Sequence, residues 1–174
     1  MFTEVNNKIL QFFFRHPSKT FYLRDLARQT KLSPAGALKS LRRLEERHLV
    51  IREKTRATDN FKVNLESKEF RNLKWLYNIY SIKSSGLNDF LNEKYGFPEA
   101  IVLFGSYSKG GDVESSDIDL AIITKKELSL DLSKFEKLLE RKIVLHELNL
   151  ERVSKEFLNN LVNGIVMEGY LKIK

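Results

Sequence analysis

The feature that most limits what this chain can fold into is a pair of apolar runs joined by a polar turn that ends in two acids. Ala100-Ile101-Val102-Leu103-Phe104 is unbroken and hydrophobic, as in a strand buried on both faces, and it stops at Gly105-Ser106. Twelve positions beyond Gly105, Asp117-Ile118-Asp119-Leu120-Ala121-Ile122-Ile123 begins a second buried strand. Side chains two apart on a strand share a face, so Asp117 and Asp119 converge while Ile118, Leu120 and Ile122 enter the core. Two adjacent carboxylates resist ionising together unless a cation lies between them. Hard oxygen donors open to phosphate favour Mg2+, with Mn2+ as its substitute. The Gly105-Ser106 turn supplies the other half: glycine permits close backbone approach, and Tyr107 to Lys109 can open a helix whose first N–H groups face an anion. Gly-Ser turns are common, and an Asp-x-Asp can simply solvate a strand end. Their combination points to a phosphate ligand and a metal.

The stretch from Gly105 to Leu120 resembles the signature of the nucleotidyltransferase superfamily that includes DNA polymerase beta and kanamycin nucleotidyltransferase, and above all its minimal members. The likeness rests on Gly105, Ser106, Gly110, Ser116, Asp117, Asp119 and Leu120. It implies that residues 86–174 form a mixed sheet backed by helices, with Asp117 and Asp119 as catalytic metal ligands. Gly105, Ser106, Lys109 and Ser116 are then the nucleotide-binding residues, for a nucleoside triphosphate of which ATP is the expected one. The family transfers a nucleotidyl group to a hydroxyl by in-line attack, with two metals steadying the attacking and leaving oxygens. Its active members add a third carboxylate on a neighbouring strand, which helps hold the metal and deprotonate the attacking hydroxyl. The corresponding strand here is Lys142-Ile143-Val144-Leu145-His146-Glu147-Leu148, whose centre is apolar. By alternation Glu147 shares a face with Ile143 and Leu145, and His146 shares one with Val144 and Leu148. Glu147 is the candidate third catalytic acid, His146 the alternative, and the third reading is that neither serves. Minimal family members complete their site with a helical partner chain or by dimerising, so a homodimer or such a partner is implied.

The net charge of +7 is not spread evenly. Residues 1–66 hold 14 Lys and Arg against 7 Asp and Glu, whereas residues 67–174 hold 16 against 16. An excess confined to the first third argues for an anionic partner there, nucleic acid foremost. Thr3 can cap a helix carrying Val5, Ile9 and Phe12 or Phe13 inward, with Phe14 open, and His16-Pro17 ends it. A short extended Phe21-Tyr22-Leu23 leads to a second helix through Asp25 to Thr30, with Leu26 and Ala27 inward. Ser33 then caps a third helix and Pro34 takes its first position. Leu38, Leu41 and Leu44 are its expected buried stripe, leaving Ala35, Gly36, Lys39, Ser40, Arg42 and Arg43 wholly or partly outside.

Two strands, Leu49–Lys54 and Phe61–Leu65, flank a polar tip Arg56–Asn60 and read as a hairpin. Three helices closed by a basic hairpin resemble the winged helix-turn-helix family, particularly its MarR-like and ArsR-like transcription factors. That resemblance implies double-stranded DNA as partner, with Ser33, Lys39, Ser40 and Arg43 in the major groove and Arg52, Lys54 and Arg56 on the wing against the backbone. The alternatives are a solvated helix face or a wing turned to protein docking.

The expected organisation is a winged helix over 1–66, a linker helix over 67–85 and a nucleotidyltransferase-fold domain over 86–174, in the α/β (α+β) class. In the linker, Phe70, Leu73, Leu76 or Tyr77, and Tyr80 recur at helical spacing as a packing face, and Ser84-Ser85-Gly86 is the joint. Helices from Leu87 to about Tyr95 and from Glu151 to Asn163 follow, then an extended or turning Gly164–Leu171. No run is long and apolar enough to span a bilayer, and without cysteine there is no disulfide or thiolate chemistry, so a cytoplasmic protein is expected. The leading functional expectation is a DNA-binding nucleotidyltransferase. The alternative is a transcriptional regulator whose second domain binds nucleotide or dimerises without turnover, and a purely protein-docking role ranks last.

Overall fold

A computed structural model of the chain describes residues 4–54 and 58–172. Thr3, expected as a helix cap, and Arg56, expected on the wing, lie outside the described residues. The chain separates into two compact units, Met1–Lys74 and Trp75–Lys174.

In the first unit α1 (Glu4–Arg15) ends just before His16-Pro17. Phe13 and Phe14 are both buried and Phe12 is half-buried, so the aromatic left open by the sequence is in fact a core residue. Phe14 packs on Phe70 with ring centroids 5.2 Å apart, which gives it the partner that a reading of α1 alone could not supply. After β1 (Phe21–Tyr22), α2 (Leu23–Gln29) turns Leu26 and Ala27 inward. The helix α3 (Pro34–Glu46) starts as its sequence requires: the Ser33 hydroxyl accepts from Gly36 N at 3.1 Å, and Pro34 sits where its missing N–H costs nothing. Its buried stripe is Ala37, Ser40, Leu41 and Leu44, while Leu38 is half-exposed.

The strands β2 (Val50–Lys54) and β3 (Asp59–Val63) pair antiparallel, and β1 joins the far side of β3 in a sheet of order β1-β3-β2. β3 begins at Asp59 rather than Phe61, with Asp59 opposite Lys54 and Asn60 opposite Glu53. Cross-strand charges account for the extension. Arg52 pairs with Asp59 at 2.6 Å on the face shared with Phe61, and Lys62 pairs with Glu53 on the other.

The helix α4 (Lys68–Ser85) buries Phe70, Asn78 and Ile82, whereas Leu76 and Tyr80 are 54% and 67% exposed. Of the expected packing face Phe70 is buried and Leu73 and Tyr77 are half-buried, while the turn that carries Tyr80 instead faces inward through a polar residue, Asn78, whose hydrogen-bond partners draw it in. Gly86, at φ 77, breaks the chain direction and starts α5 (Leu87–Tyr95).

The rest of the second unit comprises β4 (Ala100–Phe104), β5 (Ile118–Ile123), α6 (Ser133–Leu139), β6 (Ile143–Leu148), α7 (Lys155–Val162) and β7 (Ile165–Gly169). The sheet order is β6-β5-β4-β7, with β5 and β6 parallel and the other pairs antiparallel, which is a mixed sheet. α6 is an element that the sequence reading passed over. α7 starts after the Ser154 cap rather than at Glu151, since Asn149 caps a separate 3-10 turn over Leu150–Arg152. Alternation divides each strand between two cores. Ile101, Leu103, Leu120, Ile122 and Ile143 pack with Leu91 of α5 and Phe135 of α6; Val102, Phe104, Ala121 and Ile123 pack with Phe157 and Leu161 of α7. Among the described residues no helix is long and apolar enough to cross a membrane.

Candidate active site

The register of β4 and β5 puts Phe104 directly opposite Asp119, so the chain leaving β4 passes Asp119 as soon as it turns. That turn is Gly105, at φ 72, and a Cβ there would overlap the Asp119 carboxylate. Glycine is thus required twice, for a left-handed backbone and for the space the acid occupies. The segment Tyr107–Lys109 is a single 3-10 turn closed by Gly110 at φ 67, shorter than the helix the sequence suggested. One turn aligns few peptide dipoles, so an anion here would rely on the loop's own groups. Ser106 and Lys109 are exposed on that turn. The buried Ser108 hydroxyl donates to Gly105 O at 2.8 Å and fixes the turn from behind. Ser116, expected on the nucleotide, has its hydroxyl accepting from Val113 N at 3.0 Å while its N–H donates to Val113 O at 3.0 Å. It closes the turn that delivers Asp117, and its hydroxyl proton is what it retains for an outward contact.

A buried polar brace lies behind this loop. Asn78 Nδ2 donates to Tyr107 O at 2.9 Å and to Asp112 Oδ1 at 2.7 Å, and Asp112 Oδ2 lies 3.5 Å from the Arg141 guanidinium. Asn78, Asp112 and Arg141 are all at least nine-tenths buried. Sequence reasoning missed all three. Asp112 is the one it had reason to suspect, as an acid inside the signature loop that is neither in the Asp pair nor in a loop tip.

Asp117 stands one residue before β5 and borders a cleft of ≈ 590 Å³ shared with Glu114, Glu136, Glu140 and Arg141. Among the described residues no three Asp, Glu or His side chains are already gathered as a metal cage. The close pair that does form is Asp119 and His146, with Oδ1 and Nε2 3.6 Å apart.

The third acid must be corrected. β6 runs parallel to β5 with Asp119 beside Val144, Ala121 beside His146 and Ile122 beside Glu147. Residues in register share a face, so Glu147 lies on the opposite side of the sheet from Asp119. There its Oε1 accepts from the Tyr95 hydroxyl at 2.6 Å and from Leu128 N at 2.8 Å, and burial together with this carboxylate pushes the Tyr95 phenol up. Glu147 ties β6 to α5 and to the loop between β5 and α6. His146 is the β6 residue that reaches Asp119. Its ring lies 5.2 Å from Phe104 and 5.7 Å from Phe157, and its Nε2 is buried with no hydrogen-bond partner among the described residues.

A divalent cation fits this donor set on two observations. Gly105 leaves the Asp119 carboxylate the room that any Cβ would take, and an orphaned imidazole nitrogen stands beside that carboxylate.

The residues proposed for DNA divide in the same way. Ser33, Lys39, Arg43 and Lys54 are exposed. Ser40 is not: it is 3% exposed and its hydroxyl donates to Gly36 O at 3.0 Å, so it lies on the packed side of α3. A small residue that returns its own hydroxyl to the backbone can replace an apolar one in a buried stripe, which hydrophobicity alone does not reveal. Arg52 is engaged by Asp59, whose carboxyl that hydrogen bond holds below its ordinary range.

Residues 87–168 match the family model described as polymerase beta, nucleotidyltransferase, and this segment is a nucleotidyltransferase-like domain. No curated protein matches the chain. A solved structure described as "Possible transcriptional regulator from Methanosarcina mazei Go1" is 18% identical to it over 53% of this chain and 78% of that chain, with a TM-score of 0.37.

Proposed function

We propose that the chain is a DNA-binding nucleotidyltransferase, in which a winged helix at the N-terminus holds duplex DNA and the C-terminal domain transfers a nucleotidyl group from a nucleoside triphosphate to a hydroxyl. The observation that carries the reading is the Gly105 turn against the Asp119 carboxylate, which sets the turn after β4 directly beside an acid of the Asp-x-Asp pair. Asp117 and Asp119 would hold the cation. When bound, it would offset phosphate charge and steady the attacking and leaving oxygens. The Ser106 hydroxyl and the Lys109 ammonium, both exposed on the turn after β4, would take the phosphate oxygens. The Asn78–Asp112–Arg141 brace would keep that turn in place during binding.

Lys39 and Arg43 on the outer face of α3 would meet the major groove, with Lys54 and Arg56 against the backbone. Reversing charge at Arg43 and Arg56 should abolish duplex binding and flatten its salt dependence; unchanged binding in a gel-shift titration would sink the DNA assignment.

A second reading is favoured by the position of Glu147: with no acid on β6 facing Asp119, the domain binds a triphosphate as a regulatory signal and does not turn it over. Labelled triphosphates and a divalent cation, offered to the protein and to an Asp117→Ala, Asp119→Ala variant, separate the two. Label transfer lost in the variant supports the enzyme. Saturable binding without transfer supports the regulator, and no binding at all removes both.

A further inference from the structure

We infer that His146 is a nitrogen ligand standing where a third carboxylate would be expected, and that the site therefore takes a divalent transition-metal ion in preference to Mg2+. The inference rests on the reading that Asp117 and Asp119 hold a cation, and it specifies which cation.

Three features of the His146 environment support it. Its Nε2 is buried without a hydrogen-bond partner among the described residues, although burying a polar atom unpaired is costly. The 3.6 Å to Asp119 Oδ1 is longer than a charge-assisted hydrogen bond. At that spacing the imidazole and the carboxylate are not hydrogen-bonded to each other and are near enough to be shared by one cation. The ring is also held from two sides, by Phe104 of β4 and Phe157 of α7, which limits how far it can turn away from Asp119.

Asp119 is fixed in turn. It sits in the strand register opposite Phe104, and its carboxylate fills the space left by the missing Cβ of Gly105. An imidazole nitrogen suits Zn2+ and, beside it in the first-row series, Co2+, whereas Mg2+ prefers oxygen donors and retains its waters. Glu147 offers no competing oxygen, because it faces the other side of the sheet and is occupied by Tyr95 and Leu128.

The test titrates the untagged full chain with Co2+, Mn2+ and Mg2+ separately by calorimetry, alongside His146→Ala, His146→Gln and Asp119→Ala. Pulsed electron paramagnetic resonance of Mn2+ bound to the unsubstituted protein supplies a readout that needs no variant. The expected results are an imidazole nitrogen coupled to the bound Mn2+, and Co2+ affinity falling at least about tenfold in both His146 variants while Mg2+ affinity stays within about twofold. The Mg2+ arm is needed because Co2+ outbinds Mg2+ at most sites, so what counts is whether the margin shrinks when the imidazole goes. If metals bind and Asp119→Ala abolishes that binding, but the resonance lacks nitrogen coupling and the His146 variants keep the Co2+ margin, the ligand assignment is overturned and the Asp-pair reading stands. If the unsubstituted chain binds none of the three ions, both fall.

Discussion

Substituting Glu147 tests which face of β6 belongs to the chemistry. Its Oε1 accepts two hydrogen bonds, from the Tyr95 hydroxyl at 2.6 Å and from Leu128 N at 2.8 Å. Glu147→Ala removes both and leaves the largely buried Tyr95 hydroxyl without this acceptor. At about 1 kcal/mol for each bond, with a further fraction for the stranded phenol, the loss is about 2–3 kcal/mol. In a unit of this size each kcal/mol moves the midpoint by roughly 4–8 °C, so Tm should fall by on the order of 10–20 °C. Glu147→Gln keeps an oxygen that can accept and should lose about half as much. Thermal unfolding by circular dichroism gives the stability, and label transfer or triphosphate affinity, measured well below each midpoint, gives the function. Glu147→Gln should stay within about threefold of the unsubstituted protein, a change worth less than about 0.7 kcal/mol. Were it instead to melt like the unsubstituted protein yet lose function as fully as Asp119→Ala, the face assignment would be wrong and Glu147 would be a reacting group.

Gly105→Ala should reduce triphosphate and metal binding together, because the new Cβ enters the Asp119 carboxylate, and the left-handed backbone adds a penalty of about 1 kcal/mol to folding, visible as a lower midpoint. Asn78→Ala should leave Asp112 and Tyr107 O short of a donor, destabilising by about 1–3 kcal/mol and exposing the Gly105–Gly111 amides to faster hydrogen exchange; unchanged exchange there would argue against the brace. The raised phenol of Tyr95 gives stability that is fully present below its ordinary ionisation near about pH 10 and is lost as pH climbs through the higher folded value. Urea midpoints measured at rising alkaline pH should therefore fall, and Tyr95→Phe should remove part of that fall.

Much of the second unit was legible because its strands obey a period of two and its turns use residues with one conformational purpose. The runs beginning at Ala100 and Asp117 gave both central strands and Gly105 gave the turn; in the first unit Ser33-Pro34 marked the start of α3 in the same way. Hydrophobicity failed where a polar side chain was buried with a partner supplied from elsewhere. Asn78 meets Tyr107 and Asp112 across more than twenty residues of sequence, and Ser40 satisfies itself on Gly36. Neither event leaves a trace in local periodicity. The hairpin was misjudged by two residues because Asp59 and Asn60 look like turn formers, while the Arg52–Asp59 pair makes them strand. The choice between His146 and Glu147 was open for a different reason: alternation fixes that they point oppositely, but which faces Asp119 depends on the register of β5 with β6, a tertiary quantity.

That register is itself enforced by the core. Bringing Glu147 onto the face of Asp119 would require β6 to slip by one residue against β5, and a one-residue slip exchanges every side chain between faces. Ile143 is buried and Leu145 packs beside it in the core shared with α5 and α6. Turning the buried Ile143 out of that core would cost about 1.5–3 kcal/mol, and the half-buried Leu145 would add a part of the same amount. The bonds from Tyr95 and Leu128 to Glu147 would be lost as well. A carboxylate brought beside Asp119 adds repulsion to that cost unless a cation is already there. The apolar residues of β6 thus decide which polar residue meets Asp119, and they select the imidazole of His146.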